Sequence, residues 1–114
     1  EPRYFGRVSN MGKEEFEECK RAYSALFEAA ISRAAAEEFD LLVLDEAVSS
    51  CNHGVISEGA LLRFLKSRPA RLEVVLTGRE PSAALVDAAD YVTEMKKIKH
   101  PFDAGIVARR GIEF

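Results

Sequence analysis

Leu41-Leu42-Val43-Leu44-Asp45-Glu46 decides the fold. A short apolar run without alternation reads as a strand buried on both faces of a parallel sheet. The two acids then stand at the carboxyl end of that strand, the edge beyond which open α/β sheets bind their ligands.

The pattern extends outward in both directions. Upstream, over residues 13–38, Phe16, Cys19, Tyr23, Leu26, Phe27, Ala30 and Ala34 recur every three or four positions, with charged residues between them. This spacing predicts one long amphipathic helix. Asn10 or Gly12 stands where it starts, and Glu14, Glu15 and Glu17 suit the positive end of its dipole. Downstream, residues 47–56 carry Ser, Asn, His and Gly and read as a loop. Ser57 then caps a helix that buries Leu61, Leu62, Phe64 and Leu65 and ends by Pro69. A second strand over 72–76 leads into Thr77-Gly78-Arg79-Glu80, and Pro81 and Ser82 open a short helix through Ala89. Residues 91–95 read as a third strand, and 96–114 as loop with at most a short final strand. Strands alternating with helices imply βα units: an α/β fold with a parallel sheet flanked by helices.

Length and composition set the outer limits. A chain of 114 residues, 47% hydrophobic and 31% charged, fits one soluble globular domain over 1–114. Its net charge of −3 argues against a general nucleic-acid or anionic-membrane surface, because both need a basic excess. Cys19 and Cys51 give neither a disulfide framework nor a four-ligand zinc pattern, which fits a reducing, cytoplasmic compartment. No run approaches eighteen apolar residues and the amino end lacks a signal-peptide layout, so it resembles mid-protein sequence.

Asp45 and Glu46 are the leading chemical candidates. An apolar strand ending in Asp-Glu is the Walker B pattern, in which the sheet holds a carboxylate at its edge for magnesium while a neighbouring acid orients reactants. Strand-end acids also occur as plain caps, so the second strand matters. There Thr77-Gly78-Arg79 brings a hydroxyl, a flexible backbone and a guanidinium suited to polyphosphate onto the same edge. The nearest approach to a phosphate-binding loop, Gly6 to Glu14, has one residue too many between its glycines and no buried strand before it, and fails as a Walker A motif. Cys51 and His53 lack the spacing of a metal pair, no Ser/His/Asp set assembles, and the aromatic residues of the long helix are core by default.

Taken in order, Leu-Leu-Val-Leu-Asp-Glu at 41–46, Arg68-Pro69, Leu-Glu-Val-Val-Leu-Thr-Gly-Arg at 72–79, Ala89-Asp90 and the following Tyr-Val-Thr-Glu-Met, Lys-His-Pro-Phe-Asp-Ala-Gly-Ile at 99–106 and the closing Gly-Ile-Glu-Phe carry a specific likeness. The chain resembles the ATP:corrinoid adenosyltransferases of cobamide synthesis and salvage from Phe39 to its last residue. The resemblance implies a P-loop NTPase fold of RecA-like type, here incomplete at the amino end because the first strand and phosphate-binding loop are missing. It also implies a homodimer that transfers the 5′-deoxyadenosyl group of ATP to the Co(I) of a corrinoid, with a reductase or flavoprotein as electron donor.

Residue by residue, the resemblance makes Glu46 catalytic and, with Asp45, a ligand of Mg2+. It gives Thr77, Gly78 and Arg79 to the nucleotide phosphates and sets Lys99 and His100 on the nucleotide side. Phe102, with Tyr4 and Phe5, would lie toward the corrinoid. Two other classes compete. A receiver domain shares strand-end acids, a strand-end Thr77 and a Lys with Pro nearby (Lys99, Pro101), but it needs an acidic pair on its first strand, where this chain opens with a loop and a helix. A non-catalytic remnant serving in assembly is compatible with the missing phosphate loop.

Overall fold

The computed structural model describes residues 11–112. Helix α1 (Lys13–Ala35) is followed by strand β1 (Leu41–Leu44), helices α2 (Ala47–Asn52) and α3 (Glu58–Ser67), strand β2 (Glu73–Leu76), helix α4 (Ala83–Ala88) and a 3₁₀ turn at Pro101–Ala104. β1 and β2 pair in parallel, with Leu41 opposite Glu73 and Leu44 opposite Leu76. The strand-helix-strand order is the α/β arrangement expected.

Side-chain alternation along the two strands sends Leu42, Leu44, Val74 and Leu76 to one face. There Leu42 joins Phe27 and Ala34 of α1, Leu61 and Phe64 of α3, Leu72 and Leu85 in one buried cluster. Leu61 is fully enclosed, at 0% exposure. α1 buries Cys19, Phe27 and Ala34 at intervals of seven and eight residues, one stripe of a 3.6-residue helix. The opposite sheet face differs from the expectation of strands covered on both sides: Leu41 and Val43 are 56% and 53% exposed.

Helix ends follow local chemistry. Ser57 and Ser82 accept hydrogen bonds from the backbone N–H groups of Ala60 and Leu85, each at 3.2 Å, and so satisfy first-turn donors of α3 and α4. Ser57→Ala is expected to lower stability by about 1 kcal/mol, read as a shift of the denaturation midpoint with unchanged slope; no shift would mean that water replaces the cap without loss. α1 stops at Ala35 instead of reaching 38 because Glu37 takes a left-handed φ of 57°. Arg68, at the end of α3, reaches Asp90 beyond α4 at 3.3 Å.

Two expectations are corrected. Residues 47–52 are helical, not loop: Ser50 N–H donates to the Glu46 carbonyl at 2.9 Å, and Ala47 and Val48 are buried. Gly54, at φ 70°, then ends the helix. Residues 91–95 form no strand, and Tyr91 and Met95 are each 93% exposed. Among the described residues the sheet consists of β1 and β2 alone, so the backbone groups of 91–95 have no ladder to join and the segment's apolar side chains stand in solvent.

Candidate functional site at the carboxyl edge of the sheet

The register that pairs Leu44 with Leu76 makes Asp45 and Thr77 the next opposed residues. Thr77 N–H donates to the Leu44 carbonyl at 3.2 Å, extending the ladder past the last strand pair. Its hydroxyl donates to Asp45 Oδ1 at 2.6 Å and accepts from the Glu46 N–H at 2.8 Å. Its carbonyl accepts from the Val48 N–H at 3.1 Å, satisfying a first-turn donor of α2. One threonine thereby joins both acids and the following helix to the second strand.

Glu46 sits at φ 55°, ψ 21°, a left-handed conformation that a residue with a Cβ adopts at a cost of about 1–2 kcal/mol. Its position is fixed from two sides: the N–H by Thr77, and carboxylate Oε2 by the Ser49 hydroxyl. Ser49, one turn into α2, is a member of the site that the sequence left in a loop; its signal was a hydroxyl three residues after the acid. Among the described residues, the second oxygens, Asp45 Oδ2 and Glu46 Oε1, make no hydrogen bond within the protein.

Gly78 and Arg79 continue from Thr77. Gly78 has φ 143° and lies directly against α2. Asn52 Nδ2, at the far end of α2, donates to the carbonyls of Arg79 and Glu80, both at 3.0 Å. The Arg79 guanidinium is exposed, with no ion pair or hydrogen bond among the described residues. His53 Nδ1 lies 2.7 Å from the Ser49 carbonyl; a carbonyl only accepts, so that nitrogen carries the proton. Burial, reinforced by Glu58, pushes the Cys51 thiol above its ordinary range, and metal-binding thiolate character is disfavoured there.

A cleft of about 540 Å³ opens beside the acids. Tyr23, Leu26 and Phe27 of α1 with Val43 make its apolar wall, while Asp45 and Glu46 stand on its polar side. Lys99, His100 and Phe102 do not line it. They belong to a stretch, residues 86–112, in which every residue is exposed, and His100 Nδ1 accepts from the Phe102 N–H at 3.1 Å, capping the 3₁₀ turn. The structure thus joins Asp45, Glu46 and Thr77 and sets Gly78 against α2, while the Arg79 backbone meets the far end of that helix and Arg79, Lys99, His100 and Phe102 do not line the cleft. Tyr4 and Phe5 lie outside the described residues.

Two carboxylates with one free oxygen each fit the protein's share of a magnesium site, since Mg2+ commonly takes one or two carboxylates and completes its shell with water and substrate phosphate. Among the described residues no group of three His, Cys, Asp or Glu side chains encloses a metal.

A parallel sheet flanked by helices, with Asp45 and Glu46 at its carboxyl edge, defines an α/β protein. Comparison with known proteins makes the class specific. The chain belongs to the ATP:corrinoid adenosyltransferase BtuR/CobO/CobP family, which it matches over residues 3–114. It is 45% identical to a corrinoid adenosyltransferase of Pseudomonas aeruginosa over 74 residues, covering 65% of this chain and 36% of that protein. A Sinorhizobium corrinoid adenosyltransferase is 43% identical over 79 residues, 68% of this chain and 37% of its own length. The corrinoid adenosyltransferase CobA of Salmonella typhimurium is 35% identical over 75 residues, 66% and 38%. The matched segment spans little more than a third of each relative.

Proposed function

We propose that the protein transfers the 5′-deoxyadenosyl group of ATP to the Co(I) of a corrinoid, as one domain of P-loop NTPase type. The observation that carries this is the Asp45–Thr77–Glu46 linkage at the sheet edge, in a chain of the corrinoid adenosyltransferase family. Cobalt is the nucleophile: its electron pair forms the Co–C bond to the ribose C5′, the C5′–O bond breaks, and the bonding pair of that C–O bond leaves on the triphosphate oxygen. Bound beside the phosphates, Mg2+ would offset charge growing on the leaving group.

The chain's own residues have the remaining tasks. Asp45 and Glu46 offer their free oxygens to the ion. Thr77, whose hydroxyl proton goes to Asp45, orients both acids, so Arg79 has the free donors for phosphate. Gly78 allows the Arg79 backbone to approach α2. The cleft's apolar wall stands beside the acids, which are themselves exposed. Lys99, His100 and Phe102 would meet nucleotide and corrinoid only through parts of the protein that bring them to this edge. A homodimer, a reductase or flavoprotein donor and a cytoplasmic setting accompany this reading; among the described residues no helix is long and apolar enough to cross a membrane.

The test is adenosylation of chemically reduced Co(I) corrinoid with MgATP, followed by the visible spectrum of the cobalt–carbon product, on these 114 residues and on a form extended upstream. Activity in the extended form alone supports transfer completed by a phosphate loop from outside this sequence. Inactivity of both, with the protein folded, overturns the reading in favour of a non-catalytic role.

A further inference from the structure

We infer that Asn52 is the positioning residue for Arg79, holding the loop after β2 in the conformation that presents the guanidinium to the triphosphate. The inference rests on the reading of Arg79 given above. The loop is unusual in its backbone: Gly78 lies at φ 143°, and Glu80 at φ 54°, a left-handed conformation in a residue with a Cβ. Sequence alone does not hold Glu80 there, because acidic side chains only occasionally visit that region. The carboxamide of Asn52 meets the carbonyls of Arg79 and Glu80, one on each side of the left-handed Glu80 Cα, each at 3.0 Å. Two carbonyl acceptors require the nitrogen, with its two protons, on that side, so the orientation of the amide is set by chemistry.

The arrangement has a defined direction of action. Asn52 is the last residue of α2, whose first turn is fixed by Thr77 and whose Ser49 holds Glu46. The Arg79 guanidinium has no partner among the described residues, so its placement depends on its backbone. The backbone's only side-chain donor among the described residues is Asn52, which fixes one end of the 77–80 loop while Thr77 fixes the other. α2 therefore holds Glu46 with its first turn and the Arg79 backbone with its last residue, and the separation of these two points follows from the length of this one six-residue helix.

The experiment is a double-mutant cycle in the full-length protein, with Arg79→Ala, Asn52→Asp and Asn52→Ala, measuring KM for ATP, KM for reduced corrinoid, kcat and inhibition by tripolyphosphate. Asn52→Asp keeps the shape and turns a donor into a carboxylate facing two carbonyls; Asn52→Ala removes the donor without adding charge, and serves if the first fails to fold. Each is expected to raise KM for ATP and weaken tripolyphosphate inhibition roughly tenfold, the size of effect seen when a supporting hydrogen bond behind a binding group is lost, while KM for corrinoid stays within twofold. In the Arg79→Ala background the same changes are expected to have no further effect on ATP. Arg79→Ala raising KM with Asn52 variants unchanged, or an Asn52 effect that persists without Arg79, overturns the positioning role. An Arg79→Ala protein with unaltered KM for ATP overturns instead the assignment of Arg79 to the phosphates.

Discussion

Glu46→Gln in the full-length protein is expected to lower MgATP-dependent adenosylation about 100-fold or more, equivalent to about 2.7 kcal/mol of transition-state stabilisation, with the thermal midpoint nearly unchanged. The separation of the two readouts follows from how Glu46 is held. Its left-handed backbone is supported by the Thr77 hydroxyl accepting the Glu46 N–H, a bond that the side-chain change leaves intact. The glutamine carbonyl still accepts from Ser49, and the residue is exposed, so no buried charge is created or lost. What disappears is the negative charge at the cleft. A hard divalent cation is held by charge and oxygen together, and an amide oxygen supplies only the second. Raising Mg2+ should restore part of the lost rate. Unchanged turnover, measured on folded protein with reduced corrinoid and saturating MgATP, would remove Glu46 from the mechanism.

How far the sequence reached this site depends on how local each cause is. β1, β2 and α3 are legible because short, mainly apolar runs and a 3.6-residue stripe after a serine cap each state their burial within a few residues. The meeting of Asp45 with Thr77 follows from those strands alone, since parallel pairing in register must bring their polar ends together. α2 was not legible. Ala-Val-Ser-Ser-Cys-Asn has turn-forming composition, and it is helical because its N-terminus is fixed by Thr77, about thirty residues further along, and its Ser49 by Glu46. Asn52 is invisible for the same reason: its partners are two carbonyls of a loop whose φ angles no composition announces. The third strand fails in the opposite sense. Residues 91–95 have strand chemistry, yet a strand exists only where a neighbour takes up its backbone groups, and among the described residues the ladder consists of β1 and β2 alone.

Gly78→Ala is expected to destabilise the protein by about 2–4 kcal/mol, combining strained backbone with an overpacked contact, and to lower the thermal midpoint by on the order of 10 °C. At φ 143° the position excludes a Cβ with little strain, whatever space surrounds it. Space is also missing: an added Cβ would lie 2.6 Å from Val48 Cβ and 2.9 Å from Ser49 N. Neither neighbour is the free end of a flexible side chain. Val48 is buried and its N–H is bonded to the Thr77 carbonyl, and Ser49 N is helix backbone. Relief therefore requires α2 to move away from the 77–80 loop. That movement would withdraw Ser49 from Glu46 and Asn52 from Arg79, so both sides of the proposed magnesium-phosphate edge should weaken in the fraction that stays folded. KM for ATP should rise along with the fall in midpoint, unlike Glu46→Gln, where rate falls at constant stability. A Gly78→Ala protein that melts like the parent would show that the helix and the loop do not approach this closely, and the tight coupling of acids to arginine through α2 would fall with it.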